Sequence, residues 1–170
     1  MASSHHPLTF KGDPLTLLGR EVKPGDHVPD FVLTGNDMAD LTINQFRGKN
    51  LIIASVPSLD TPVCSNETKR FNQEVTKLPN MAVLTVSLDL PFAQKRWCGA
   101  EGATNVVTAS DYKHRGFGEA FGVFIKEWGL LSRAVFVVDK AGKVVYVQYV
   151  PEVSSEPDYA PIIAAASKLS

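Results

Sequence analysis

Apolar residues dominate residues 50–56, 82–88 and 134–138, with no charged residue in any of the three, and each run is rich in β-branched side chains. Strands covered on both faces read this way, whereas a half-exposed strand alternates. Between the first two runs the period changes. Cys64, Thr68, Phe71, Val75 and Leu78 fall at steps of four, three, four and three, while Lys69, Arg70, Gln73 and Glu74 fall away from that stripe. One buried helix face follows, with Cys64 at its start and Pro79-Asn80 at its end. Its loop side is expected to stay open to a small molecule. Asp89 is placed to cap a short helix with Pro91 near its start, and Cys98 lies toward that helix's end.

The remaining elements are shorter. Residues 8–10 and 15–18 around Lys11-Gly12-Asp13-Pro14 predict an N-terminal β-hairpin, 41–43 a short strand, 105–108 a fourth core strand, and 115–121 a short glycine-interrupted helix. Residues 134–138 and 143–150 about the turn 139–142 predict a second hairpin, and 157–169 a closing helix with Asp158 near its start. Alternating strands and helices describe an α/β fold, a central mixed β-sheet flanked by helices. A reactive-looking cysteine after a central strand makes a thioredoxin-like fold the nearest topology. Neither a repeat nor a linker divides the chain, so residues 1–170 are expected to form one domain, with 1–7 flexible.

Composition narrows the function classes. A net charge of -1 and the lack of long basic runs give no footprint for nucleic acid or an anionic membrane. The amino terminus lacks a signal-peptide pattern, and no apolar run is long enough to span a membrane. A cytoplasmic, reducing setting is the expectation, in which two cysteines stay thiols unless chemistry oxidises them. Those cysteines are 34 positions apart with no C-x-x-C pair, and with His27 and His114 they match no metal-ligand spacing. His5-His6 is equally weak as a metal site.

The chemistry then centres on Pro57-Ser58-Leu59-Asp60-Thr61-Pro62-Val63-Cys64. A cysteine where a loop becomes a helix meets free N–H groups and the positive end of the helix dipole, which favour thiolate. Free cysteine is more often a small buried hydrophobe, and that reading stands beside the reactive one. Ionisation alone achieves little. Lowering a thiol from pKa ~8.5 to ~6 gives roughly 30-fold more thiolate at neutrality, but the weaker nucleophile loses about tenfold of it. Donors that hold and polarise the substrate are therefore needed. Thr61, the backbone near Cys64 and an arginine are the candidates, Arg133 ahead of Arg115 and Arg96 because it heads a central strand.

Four segments make a specific match. Asp60-Thr61-Pro62-Val63-Cys64, residues 89–102, Leu130-Leu131-Ser132-Arg133-Ala134-Val135-Phe136 and Tyr149-Val150-Pro151-Glu152 resemble the bacterial thiol peroxidase subfamily of atypical two-cysteine peroxiredoxins. The resemblance spans nearly the whole chain, N-terminal hairpin included; Ser132 stands where alanine is expected. It implies a peroxidatic Cys64 activated by Thr61 and Arg133, a shielding Pro57, and a resolving Cys98. It further implies hydrogen peroxide and alkyl or lipid hydroperoxides as substrates, a Cys64–Cys98 disulfide recycled by thioredoxin, no cofactor, and a homodimer.

Joining cysteines on separate helices requires one or both helix ends to unwind, since disulfide Cα atoms lie within about 7 Å. Phe92, Trp97, Phe117, Phe121 and Trp128 are candidates for an apolar groove, or for core and subunit interface. Two rival readings remain open: a thiol–disulfide oxidoreductase or redox sensor, and a non-catalytic module with buried cysteines.

Overall fold

The computed structural model describes Ser3 and residues 6–169. Three strands open the chain. β1 (Leu8–Phe10) and β2 (Asp13–Leu15) form the hairpin, and β3 (Leu17–Leu18) leaves it for another sheet. The second hairpin strand is therefore Asp13–Leu15 rather than 15–18: the turn tightens to Lys11-Gly12, both at positive φ, and Leu17–Leu18 pairs with a later strand instead. Of the segment expected to be flexible, residues 1, 2, 4 and 5 lie outside the described residues. Ser3 bridges to Leu18, and the His6 ring stacks on Tyr149 with centroids 4.1 Å apart.

β4 (Leu33–Gly35) and β5 (Asp40–Leu41) follow as an antiparallel pair. The strand expected at 41–43 ends at Leu41, because Thr42 instead starts a 3-10 turn, Ile43–Phe46, in a reciprocal capping box with Gln45. Then come β6 (Asn50–Ser55), α1 (Pro62–Glu74), β7 (Met81–Ser87), α2 (Pro91–Glu101) and β8 (Val107–Ser110). That last strand starts two residues later than its sequence pattern indicates. α3 (Gly116–Ala120), β9 (Phe124–Ile125), β10 (Leu130–Leu131), β11 (Ala134–Val138), β12 (Val144–Tyr149) and α4 (Tyr159–Ser167) complete the chain.

Seven strands make one mixed sheet in the order β12-β11-β6-β7-β8-β4-β5. β6, β7 and β8 are parallel, and β11 runs antiparallel to β6. β6 is central and buried on both sides, which explains the apolar stretch Leu51–Ala54 between its polar ends. Leu51 and Ile53 pack with Phe31, Phe117, Phe121 and Phe136, while Ile52 and Ala54 pack with Phe71, Trp97 and Ile162 from α1, α2 and α4. Phe117 and Phe121 are stacked inside the first cluster and Trp97 inside the second, so these three form core rather than a groove. Phe92 and Trp128 remain exposed, at 67% and 37%.

The parallel strands β6 and β7 both end where α1 and α2 begin. Connections at that edge of the sheet collect the candidate residues.

Candidate active site

The chain leaves β6 through Val56 and the buried Pro57, then turns into α1. Thr61 is the N-cap of α1. Its hydroxyl accepts from the Cys64 amide at 3.3 Å and donates to the Ser58 carbonyl at 3.0 Å, and Pro62 follows at the first helical position. These bonds fix Cys64 in the first turn, at the positive end of the helix. The sulfur is not open on its loop side as the sequence suggests: Cys64 is 0% exposed, packed in the second core cluster with Val56 and Leu59 of the loop.

Arg133 approaches from the neighbouring strand. It stands one residue before Ala134, which pairs with Ser55, and is thereby carried to the chain end that leaves β6. Arg133 is 1% exposed, and Nη2 donates to Cys64 Sγ at 3.3 Å and to the Val153 carbonyl at 3.2 Å. Nη1 donates to Glu67 Oε2. Burial opposes the guanidinium's charge, but Glu67 and Cys64 beside it more than offset that cost and raise its pKa. The Val153 carbonyl is itself held by the N-terminal hairpin. Thr9 N donates to the Pro151 carbonyl and Val153 N to the Thr9 carbonyl, both at 2.9 Å. Glu152 accepts from the Thr9 hydroxyl and the Lys11 amide, bonds that hold its carboxyl low, at about 2.

Two further residues belong to the site. Glu67, one helical turn after Cys64, is wholly buried against Arg133. Its place beside both Cys64 and Phe71 on the inward stripe was the sequence signal for it. Asp89 does not cap α2, whose N-cap is Leu90 with no side-chain bond. Its carboxylate turns instead to the Cys64 loop and accepts from Ser58 Oγ at 2.7 Å, Leu59 N at 2.8 Å and Ser87 Oγ at 2.8 Å. No local pattern distinguishes that tertiary role from a cap.

Cys98 is elsewhere. It lies in the last turn of α2, its carbonyl taken by the Gly102 and Ala103 amides, and its sulfur is 3.4 Å from the Thr108 hydroxyl on β8. It also borders a cavity of about 390 Å³ with Asn36, Leu41 and Val106. The strand carrying Arg133 and the strand carrying Thr108 are three places apart in the sheet. The two thiols thus sit in different surroundings, Cys64 beside Arg133 and Cys98 beside Thr108. Both cysteines are free thiols, and Trp97 Nε1 on α2 donates to Ser65 Oγ on α1 at 3.2 Å between them. Among the described residues no helix is long and apolar enough to cross a membrane, and no acid, histidine and cysteine group is arranged to hold a metal.

Comparison with known proteins decides the family. The model described as Redoxin matches residues 23–163. A thiol peroxidase of Oceanobacillus iheyensis is 52% identical over 161 residues, covering 95% of this chain and 98% of its own. The chain belongs to the thiol peroxidases of the peroxiredoxin family. A Bacillus subtilis thiol peroxidase is likewise 52% identical, over 95% of this chain and 97% of its own. The crystal structure of a peroxiredoxin-like protein from Aquifex aeolicus superposes with a TM-score of 0.91 at 41% identity, covering all of both chains. The fold of this thiol peroxidase is accordingly thioredoxin-like, and its activity is thiol-dependent peroxide reduction, an oxidoreductase reaction.

Proposed function

We propose that Cys64 is the sulfur that attacks the peroxide and that Cys98 resolves the product. The observation that carries this reading is the buried guanidinium: Arg133 Nη2 meets Cys64 Sγ at 3.3 Å, in a turn that Thr61 caps. A fixed cation at the sulfur meets the charge that builds on the peroxide oxygens as their bond breaks, without reorganising. Thr61 orients the turn, and the buried Pro57 shields it from water.

In the first step the Cys64 thiolate takes the terminal oxygen of hydrogen peroxide or an alkyl hydroperoxide. The S–O bond forms as O–O breaks, sulfur is oxidised to a sulfenic acid, and the departing oxygen gains a proton as water or alcohol. Because the sulfur is sealed in the reduced fold, peroxide enters when the 57–61 loop opens. In the second step Cys98 displaces hydroxyl from the sulfenic sulfur, giving a disulfide and water. On this reading one or both helix ends unwind to join the sulfurs, the last turn of α2 among them, and a loop of this length returns ~4 kcal/mol on the entropy model. Thioredoxin's dithiol then reduces the disulfide, so no bound cofactor enters the cycle. On the family resemblance, the chain works as one domain, pairs as a homodimer and acts in the cytoplasm.

Thioredoxin-coupled peroxide consumption tests the assignment. Cys64→Ser should have no turnover. Cys98→Ser should complete the first oxidation and then stop. Sustained turnover by either variant contradicts the role given to that residue.

A further inference from the structure

Glu67 is a buried acid to which the catalytic cycle assigns no part. Its side chain is 0% exposed, three residues after Cys64 on α1. A carboxylate removed from water is costly unless its oxygens are satisfied. Only Oε2 has a partner among the described residues, Arg133 Nη1; Oε1 has none. The same guanidinium turns its other nitrogen to the Cys64 sulfur. One buried cation thus serves two groups that each become anionic. Ionising one of them makes ionising the other harder, since like charges in a shared site oppose each other.

We infer that Glu67 governs how much of the Arg133 charge reaches the sulfur. As a neutral acid it still accepts from Nη1, keeps the guanidinium fork aligned and leaves the charge to the Cys64 thiolate. As a carboxylate it competes for that charge. Glu67 is on this account a positioning residue that does not touch peroxide, and the inference rests on Cys64 being the attacking sulfur.

The surroundings support the competition. The charged and titratable groups facing Glu67 are Cys64 on its own helix, Arg133 at the head of β11, Glu156 ahead of α4, and Tyr159 on α4. Glu156 adds repulsion, and the Tyr159 hydroxyl donates to Glu156 at 2.7 Å. Arg70, the other cation near Tyr159, is committed to Glu74 and lies over the Tyr159 ring. Burial pushes the Glu67 carboxyl up to about 7, with Arg133 pulling it back. Below that value Glu67 is neutral and the sulfur has the cation; above it the two share.

The test uses the full chain with Cys98→Ser, which leaves one thiol. Its ultraviolet thiolate absorbance and single-turnover rate with hydrogen peroxide are followed against pH. With Glu67 in place, thiolate should form over a wider pH range than a lone acid gives. Glu67→Gln, which keeps an acceptor for Nη1 but no charge, should sharpen the curve to one ionisation and move it to lower pH. Each unit of movement is tenfold more thiolate on the acid limb. Glu67→Leu, which frees the fork, should lose about tenfold or more in rate at every pH.

A Gln curve with the position and width of its parent overturns the inference, as does a Gln variant that loses rate as Leu does. Should the Leu variant not fold, the parent curve still decides, because a simple one-group shape is incompatible with competition. Peroxide consumption by Cys64→Ser would instead strike the assignment of the attacking sulfur, which the Glu67 variants leave untouched.

Discussion

Removing the Arg133 guanidinium should separate the stability of the site from its chemistry. Arg133→Met strands Glu67, which is 0% exposed, with no cation beside it. Breaking a buried pair from one side costs about 3–5 kcal/mol, because the remaining charge is uncompensated. The cost should depend on pH. Glu67 already holds its proton up to about 7 with Arg133 present, and without that cation burial drives it higher, so in acid the stranded group is a neutral carboxylic acid. The destabilisation in urea unfolding of the reduced protein should therefore be several kcal/mol near pH 8 and clearly smaller near pH 5. Adding Glu67→Leu removes both charges, and replacing a buried pair by apolar groups is often neutral. The double variant should recover most of the stability.

Activity should not follow. The sulfur still lacks the Nη2 donor, and losing one fixed donor to developing charge costs about 10²–10³ in rate. Single-turnover peroxide reduction should stay low in both variants. An Arg133→Met protein within tenfold of the parent, or a double variant whose rate returns with its stability, would refute the reasoning.

Three further outcomes follow from the same geometry. Thr61→Val removes the cap on α1 and the tie to Ser58, and should cost about 1 kcal/mol in urea unfolding together with rate; Thr61→Ser should restore both, and equal losses for Ser and Val would contradict the capping role. Asp89→Ala leaves Ser58 Oγ, Leu59 N and Ser87 Oγ without their acceptor. It should speed hydrogen exchange at the Leu59 amide by about tenfold or more for each ~1.4 kcal/mol of lost anchoring, and unchanged protection would remove Asp89 from the loop. Oxidation that unwinds the end of α2 must disturb Trp97, 6% exposed and bonded to Ser65; in a Trp128→Phe background, peroxide should shift its emission to the red, and an unmoved spectrum would mean that α2 stays folded.

The continuous strands 50–55, 81–87 and 134–138 were legible because β6, β7 and β11 are covered on both faces and their composition says so without reference to partners. The start of α1 was legible to within two residues from the stripe that begins at Cys64, whereas the cap by Thr61 ahead of Pro62 was not read from that pattern. What escaped depends on distant chain. β9 and β10 are two residues each, too short to carry a period, and exist because β3 and each other supply their hydrogen bonds. Asp89 has the sequence of a cap yet bonds to a loop 30 residues away. Phe117 and Phe121 look like groove aromatics until the sheet face they fill is known. Closure over Cys64 belongs to the same class, since burial of the sulfur is set by the loop and core cluster together rather than by its own helix.

Which sulfur peroxide oxidises first decides the mechanism. With Cys98 replaced by Ser, the sulfenic acid cannot be resolved within the chain and is open to a sulfenic-specific nucleophile; peptide mass mapping after one equivalent of hydrogen peroxide then reads the site directly. The label should sit on Cys64, and it should fall sharply when Arg133 is replaced by Met. Peroxide consumed without a label on Cys64, or labelled equally well without the guanidinium, would contradict the mechanism at its root.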